Sequence, residues 1–136
     1  MSSISAIALS GLNAASRRLQ VSASNVANSQ TTGALPNADG TVPAGAPTAY
    51  TPLALVQTAS AGGGVQTSVT TVTPPTTAVF DPQASFANQD GLVAAPNVDL
   101  AQEMVGQMIA RYSFAANATV MKADDRMTKT LLNITA

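Results

Sequence analysis

The chain has 136 residues, enough for one domain or one helical core carrying an insertion. It contains neither Cys nor His, which excludes disulfides, thiolate nucleophiles and thiolate zinc sites, and removes the commonest general base near neutral pH. A net charge of −1 gives no electrostatic reason to bind nucleic acid or an anionic membrane, and a charged fraction of 10%, against roughly 25% in ordinary soluble domains, fits a surface covered by neighbours.

Residues 3–28 read as a first helix. Ile4, Ala8, Leu12, Ala15, Leu19, Ala23 and Val26 recur at steps of four and three, which places them in one stripe on an α-helix. Small neighbours such as Ala6, Gly11 and Ala14 allow a second helix axis to come close. The helix is expected to stop near Asn28, because Asn tolerates the left-handed conformation and Thr31-Thr32-Gly33 reads as a turn. Ile4 to Ala15 has the apolarity of a signal peptide, but no cation precedes it and Arg17 and Arg18 follow it, the reverse of the secretory order. No apolar run approaches the roughly 18 residues needed to span a bilayer.

Residues 29–96 form a middle segment of different character. All eight prolines lie here, between Gly33 and Asn97, with three acids (Asp39, Asp81 and Asp90) and no base. Proline fixes φ and removes a helix donor, so the two flanks are helical candidates and the middle is not. Tyr50 to Thr58 and Val65 to Val72 read as strands, joined by a turn at Gly62-Gly63-Gly64 into a β-hairpin. Residues 34–48 carry too little apolar content to pack and are expected to be a flexible loop.

Residues 97–135 read as the last helix. Val98, Ala101, Val105, Ile109, Tyr112, Ala116, Val120, Ala123, Met127, Leu131 and Ile134 hold the helical period without a break. Asn97 is the expected N-cap, Asp99 and Glu103 lie near the positive end of the helix dipole, and Lys122, Arg126 and Lys129 lie toward the other end. About 38 residues at 1.5 Å each give a rod of about 57 Å. A compact globule of this size has a diameter of roughly 37 Å. The protein is therefore expected to be elongated, with the stripe partly covered by other subunits. A period near 3.6 favours a nearly straight pair over a strongly supercoiled one.

Nothing in the sequence assembles an active site, and no catalytic, cofactor-binding or metal residue is assigned. Asp99 and Glu103 sit one turn apart but lack the further oxygen ligands a hard cation needs. Gly62-Gly63-Gly64 lacks the Lys-Ser/Thr of a phosphate loop. Asp125 and Lys129 make an ordinary i,i+4 pair, and Met104, Met108, Met121 and Met127 read as helix packing. The residues assigned to an assembly interface are Leu12, Leu19, Val26, Val105, Ile109, Tyr112, Val120, Met127, Leu131 and Ile134.

Two segments carry a resemblance. Ala23-Ser24-Asn25-Val26-Ala27-Asn28-Ser29-Gln30-Thr31-Thr32-Gly33 resembles the signature that closes the first helix in the axial family of bacterial flagellar rod, hook and hook-associated proteins. Asp90-Gly91-Leu92-Val93-Ala94-Ala95-Pro96-Asn97-Val98, followed by Glu103-Met104-Val105, is similar to the segment leading into the last helix in the proximal-rod members of that family. The motif residues are Ser24, Asn25, Ala27, Asn28, Thr32, Gly33, Asp90, Gly91, Pro96 and Asn97. Two positions depart from the pattern. Gly33 is followed by Ala34-Leu35-Pro36 where the family has an aromatic and basic residues, with Tyr50 as the displaced equivalent after an insertion, and Leu92 stands where the family has an aromatic.

The resemblance implies a mainly α fold with a small β insertion. Long N- and C-terminal helices pair antiparallel, elongated and coiled-coil-like, with a β-hairpin and irregular loop between them. It further implies a non-enzymatic rod subunit, exported by the flagellar type III apparatus without a cleavable signal. Such a subunit polymerises with itself and other rod subunits into the periplasmic drive shaft, and needs no cofactor, nucleic acid, small-molecule substrate or membrane insertion. Another axial rod or injectisome subunit, or a cytoplasmic helical export chaperone or adaptor, are the alternatives.

Overall fold

The computed structural model describes residues 3–37 and 39–134. Two helices, α1 (Ser3–Ala27) and α2 (Leu100–Ile134), flank four short strands: β1 (Leu53–Ala59), β2 (Val65–Thr71), β3 (Thr76–Phe80) and β4 (Leu92–Pro96). The 35 residues of α2 run without a break at Gly106, so the helix is about 52 Å long. Residue 135, placed in this helix by the sequence, lies outside the described residues.

Both inner helix ends are closed by side chains, in ways the sequence reading partly misplaced. Asn28 Nδ2 donates to the Ser24 carbonyl (2.9 Å), Ser29 Oγ to that of Val26 (2.9 Å) and Thr31 Oγ1 to that of Asn28 (2.8 Å). These bonds satisfy carbonyls that a helix terminus leaves open. Asn28 does not need the left-handed conformation expected of it, and every described residue with positive φ is a glycine. At the start of α2 the N-cap is Asp99, not Asn97. Its Oδ1 accepts from the N–H groups of Ala101 (2.9 Å) and Gln102 (3.1 Å). Asn97 is held instead by β3's approach: its N–H donates to Pro75 O (3.0 Å) and its Nδ2 to Pro74 O (3.0 Å).

The expected hairpin is present as β1–β2, antiparallel from Leu53↔Thr71 to Ala59↔Val65. Gly63 and Gly64, both at φ 85°, make its turn, a conformation that L side chains rarely adopt. A second antiparallel pair, β3–β4, was not legible in the sequence. The hairpin lies against α1, with Val65 N–H donating to Ser10 Oγ (3.1 Å) and an Arg18 guanidinium N–H to Gln57 Oε1 (2.7 Å). Residues 34–48 are irregular as expected, but pinned at the neck. Ala34 is buried and its N–H donates to Pro47 O (2.8 Å), while Asn37 N–H donates to Thr41 O (2.8 Å); residue 38 lies outside the described residues.

The helices run antiparallel in a close register. Ser5 Oγ donates to Asp124 Oδ2, a Cβ on Gly11 would lie 2.6 Å from Asn117 Cγ, and Ser22 Oγ donates to the Glu103 carbonyl (3.1 Å). Ala8, Ala14, Ala15 and Ala110 fill the space between these contacts, each 4% exposed or less. The seam is made of small and polar residues. The register of the pair is therefore set by these residues and not by the apolar stripe of α2.

Candidate assembly surface

The stripe of α2 points away from α1. Val105, Ile109, Tyr112, Val120, Met127, Leu131 and Ile134 range from 44% to 76% exposed. On α1, Leu19 is exposed and Leu12 and Val26 are half-buried. A surface helix normally turns its apolar stripe to the core and its polar face to water. Here the buried members of α2 are Ala110 and Asp124, with Glu103, Gly106 and Asn117 half-buried, so the usual arrangement is inverted. The physical reason lies in side-chain size. Gly11, Ala14 and Ala15 admit a close helix partner but leave no depth for Leu or Tyr.

The first family motif builds a buried clamp around Asn25, which is 2% exposed. Its Nδ2 donates to Leu53 O (2.8 Å) and Glu103 Oε1 (2.6 Å). Its Oδ1 accepts from Leu53 N–H (2.9 Å) and the Tyr50 hydroxyl (3.1 Å). One side-chain amide thus joins α1, the start of β1 and α2. With the Tyr50 proton given to Asn25, Ser24 Oγ donates to the tyrosine oxygen (3.0 Å). Tyr50 thus ties the segment before β1 to the first motif through its hydroxyl.

The two motifs also meet each other. Gly33 N–H donates to Ala94 O (2.9 Å) and Ala94 N–H to Gly33 O (2.9 Å), tying the exit of α1 to β4. A Cβ on Gly33 would lie 2.6 Å from Pro47 O, so only glycine fits. Thr32 is half-buried beside it, and Ala27 is exposed at the end of α1. Asp90 and Gly91 form the turn before β4. Asp90 N–H donates to Asn88 Oδ1 (3.0 Å), and Gly91, at φ 71°, donates its N–H to Asn88 O (3.0 Å). Pro96 is buried at the end of β4, opposite Thr76. The bridge of Gly33 to Ala94 therefore joins the two motif segments, whereas the stripe residues of α2 lie outside it. Sequence reasoning missed Ser5, Ser22, Glu103, Asn117 and Asp124 as seam residues. The available signal was Gly11 and serines recurring beside the apolar stripe of α1.

A two-helix axis with a polar seam inside and an apolar stripe outside is the build of a structural subunit. No helix among the described residues is long and apolar enough to cross a membrane. The family model described as flagella basal body rod protein matches residues 6–34, and that of the flagellar basal body rod FlgEFG protein C-terminal region matches residues 89–134. Flagellar basal-body rod protein FlgC of Salmonella typhimurium is 37% identical over 130 residues, covering 92% of this chain and 91% of that protein. FlgC of Escherichia coli O157:H7 is 36% identical over the same shares, and FlgC of Bacillus subtilis is 38% identical over 76 residues, 55% of this chain and 51% of that protein. The chain belongs to the flagellar basal-body rod protein family and is a structural component of the basal-body rod.

Proposed function

We propose that this chain is a proximal-rod subunit that polymerises through the outer faces of its terminal helices, with itself and other rod subunits, into the periplasmic drive shaft. The observation that carries this reading is the exposed stripe from Val105 to Ile134, an apolar surface longer than a lone soluble subunit keeps bare. The role is structural and not enzymatic. Export runs through the flagellar type III apparatus without signal cleavage. In support, the apolar stretch from Ile4 to Ala15 is part of α1 and packs on α2.

The test is mass spectrometry of purified basal bodies, combined with Ile109→Asp and Leu131→Asp. Both positions are exposed, so folding stability should stay within about 0.5 kcal/mol of wild type. Incorporation and motility should be lost. A chain found only in the soluble cytoplasmic fraction, or an Ile109→Asp variant with normal motility, overturns the reading.

A further inference from the structure

In an antiparallel pair, residues that bond to the partner strand alternate with residues whose N–H and C=O turn outward. Asp81 N–H donates to Gly91 O (2.9 Å) and Asn97 N–H to Pro75 O (3.0 Å). The odd-numbered residues of β3 and β4 therefore bond to one another, and the even-numbered ones turn outward. On β4 these outward groups are closed. Leu92 N–H donates to Asn88 Oδ1 (2.8 Å), Leu92 O accepts from Asn88 N–H (3.0 Å), and Ala94 is bridged to Gly33.

On β3 the outward positions are Thr76, Ala78 and Phe80. Among the described residues nothing hydrogen-bonds to their N–H or C=O groups, and β4 is the one helix or strand that lies against β3. By the same alternation, β1 and β2 are each tied to α1 at an outward position, Leu53 to Asn25 and Val65 to Ser10. β3 has no such tie. An open edge is a template for a further strand, and proteins blunt it with charges, prolines or bulges. Thr76 to Phe80 has none of these, and Val79 and Phe80 beside the edge are 44% and 69% exposed. The Phe80 ring is held across Gly91, where a Cβ would lie 2.9 Å from its Cε2, so it offers a fixed apolar platform.

Charge selects what can lie there. Asp81, bonded to Gly91, and Asp90, next to that glycine, place two carboxylates at the Phe80 end of the edge. Neither has an ion-pair partner among the described residues. A second copy of this chain cannot supply an extended segment with a cation, because all six of its Lys and Arg residues lie on α1 or α2.

Resting on the rod reading above, we propose that a rod neighbour of different sequence adds an extended segment to the open edge of β3. The segment is uncharged over about five residues, or about 16 Å, and sets apolar side chains against Val79 and Phe80. It carries Lys or Arg at the end that meets Asp81 and Asp90. Main-chain bonds to Thr76, Ala78 and Phe80 supply the attachment, and the side chains supply the choice of partner.

Hydrogen exchange on the wild-type protein, free and in purified basal bodies, tests the edge. The amides of Ala78 and Phe80 should exchange at least about tenfold more slowly in basal bodies. Those of Leu92 and Ala94, already bonded within the chain, should be slow in both. Equal exchange of Ala78 and Phe80 in the two samples overturns the proposal. The partner is read by replacing Phe80 with the photoreactive p-benzoylphenylalanine and irradiating basal bodies. The link should map to a different protein, on an extended segment within a few residues of a Lys or Arg. Adding Asp81→Asn with Asp90→Ser should lower its yield about threefold. A link to another copy of this chain or to a helix, or a yield unmoved by the two substitutions, overturns the proposal and leaves the rod reading intact. Should the photoreactive chain fail to incorporate, the exchange measurement on the wild-type protein decides. Absence of the wild-type chain from basal bodies overturns the rod reading, and the proposal with it.

Discussion

Replacing Asn25 by Asp is a one-atom change in shape that should unseat the clamp. A side-chain amide offers two donors and a carbonyl oxygen that accepts twice, and Asn25 uses all of them. Aspartate keeps the two acceptors, so Leu53 N–H and the Tyr50 hydroxyl still have partners. Both donors disappear. The bond to the Glu103 carboxyl contributes about 1.5–3 kcal/mol and that to Leu53 O about 1 kcal/mol, so roughly 3 kcal/mol is lost before repulsion between the two acids is counted. That is a large share of the 5–15 kcal/mol stability usual for a domain. For a chain of this size it corresponds to a fall in Tm of about 10 °C. Thermal melts followed by helical circular dichroism, with hydrogen exchange at the Leu53 amide, measure the effect. The decisive variant is Asn25→Asp with Glu103→Gln, which puts a donor opposite the new carboxylate and should recover about half of the loss. Stability within about 0.5 kcal/mol of wild type for Asn25→Asp, or a double variant no better than the single, would refute the clamp.

Gly33→Ala should cost about 3 kcal/mol, because the added Cβ meets the backbone at Pro47 and Thr48, which cannot rotate aside. Faster exchange of the Ala94 amide would register the broken bridge. Asp99→Ala removes the N-cap of α2 and should destabilise by about 1 kcal/mol, read as a shift in denaturant midpoint; Asn97→Ala should leave the capped N–H groups of Ala101 and Gln102 protected. The Thr41 hydroxyl and N–H hold the Asp39 carboxyl below its ordinary value. The ionised carboxylate is the form that accepts these bonds. The loop is therefore tightest above the ordinary aspartate range and loosens as pH falls through Asp39's lowered midpoint. Thr41→Val should return that midpoint toward the ordinary value in an NMR titration.

Much of this architecture can be read from residue order because each helical flank is locally consistent. The confinement of proline to the middle separates the flanks from it, and Gly63 and Gly64 fix the β1–β2 turn. What could not be read depends on partners distant in sequence. β3 and β4 are five residues each and pair across an eleven-residue connection, and Phe80, which ends β3, packs on Gly91. Nothing in their local pattern marks the pairing. Asn97 looks like an N-cap until its N–H and Nδ2 are seen to turn to Pro75 O and Pro74 O, while it is Asp99 Oδ1 that accepts from the first-turn N–H groups of α2.

The stripe of α2 shows the deeper reason. A helical period identifies a face but carries no information about what lies against it. Whether that face meets α1 or a neighbour is decided on α1, by Gly11, Ala14 and Ala15 and by the reach of Ser5, Ser22 and Asn25. These residues match Asp124, Asn117 and Glu103, which lie on α2 between the stripe positions. On the proposed reading, holding the pair together and joining neighbours thus fall to separate faces of one helix. Substitutions in the seam should change folding stability first, and those in the stripe should change incorporation with stability untouched. A subunit built this way can hold its internal register through hydrogen bonds while keeping its apolar area for contacts that form only in the rod.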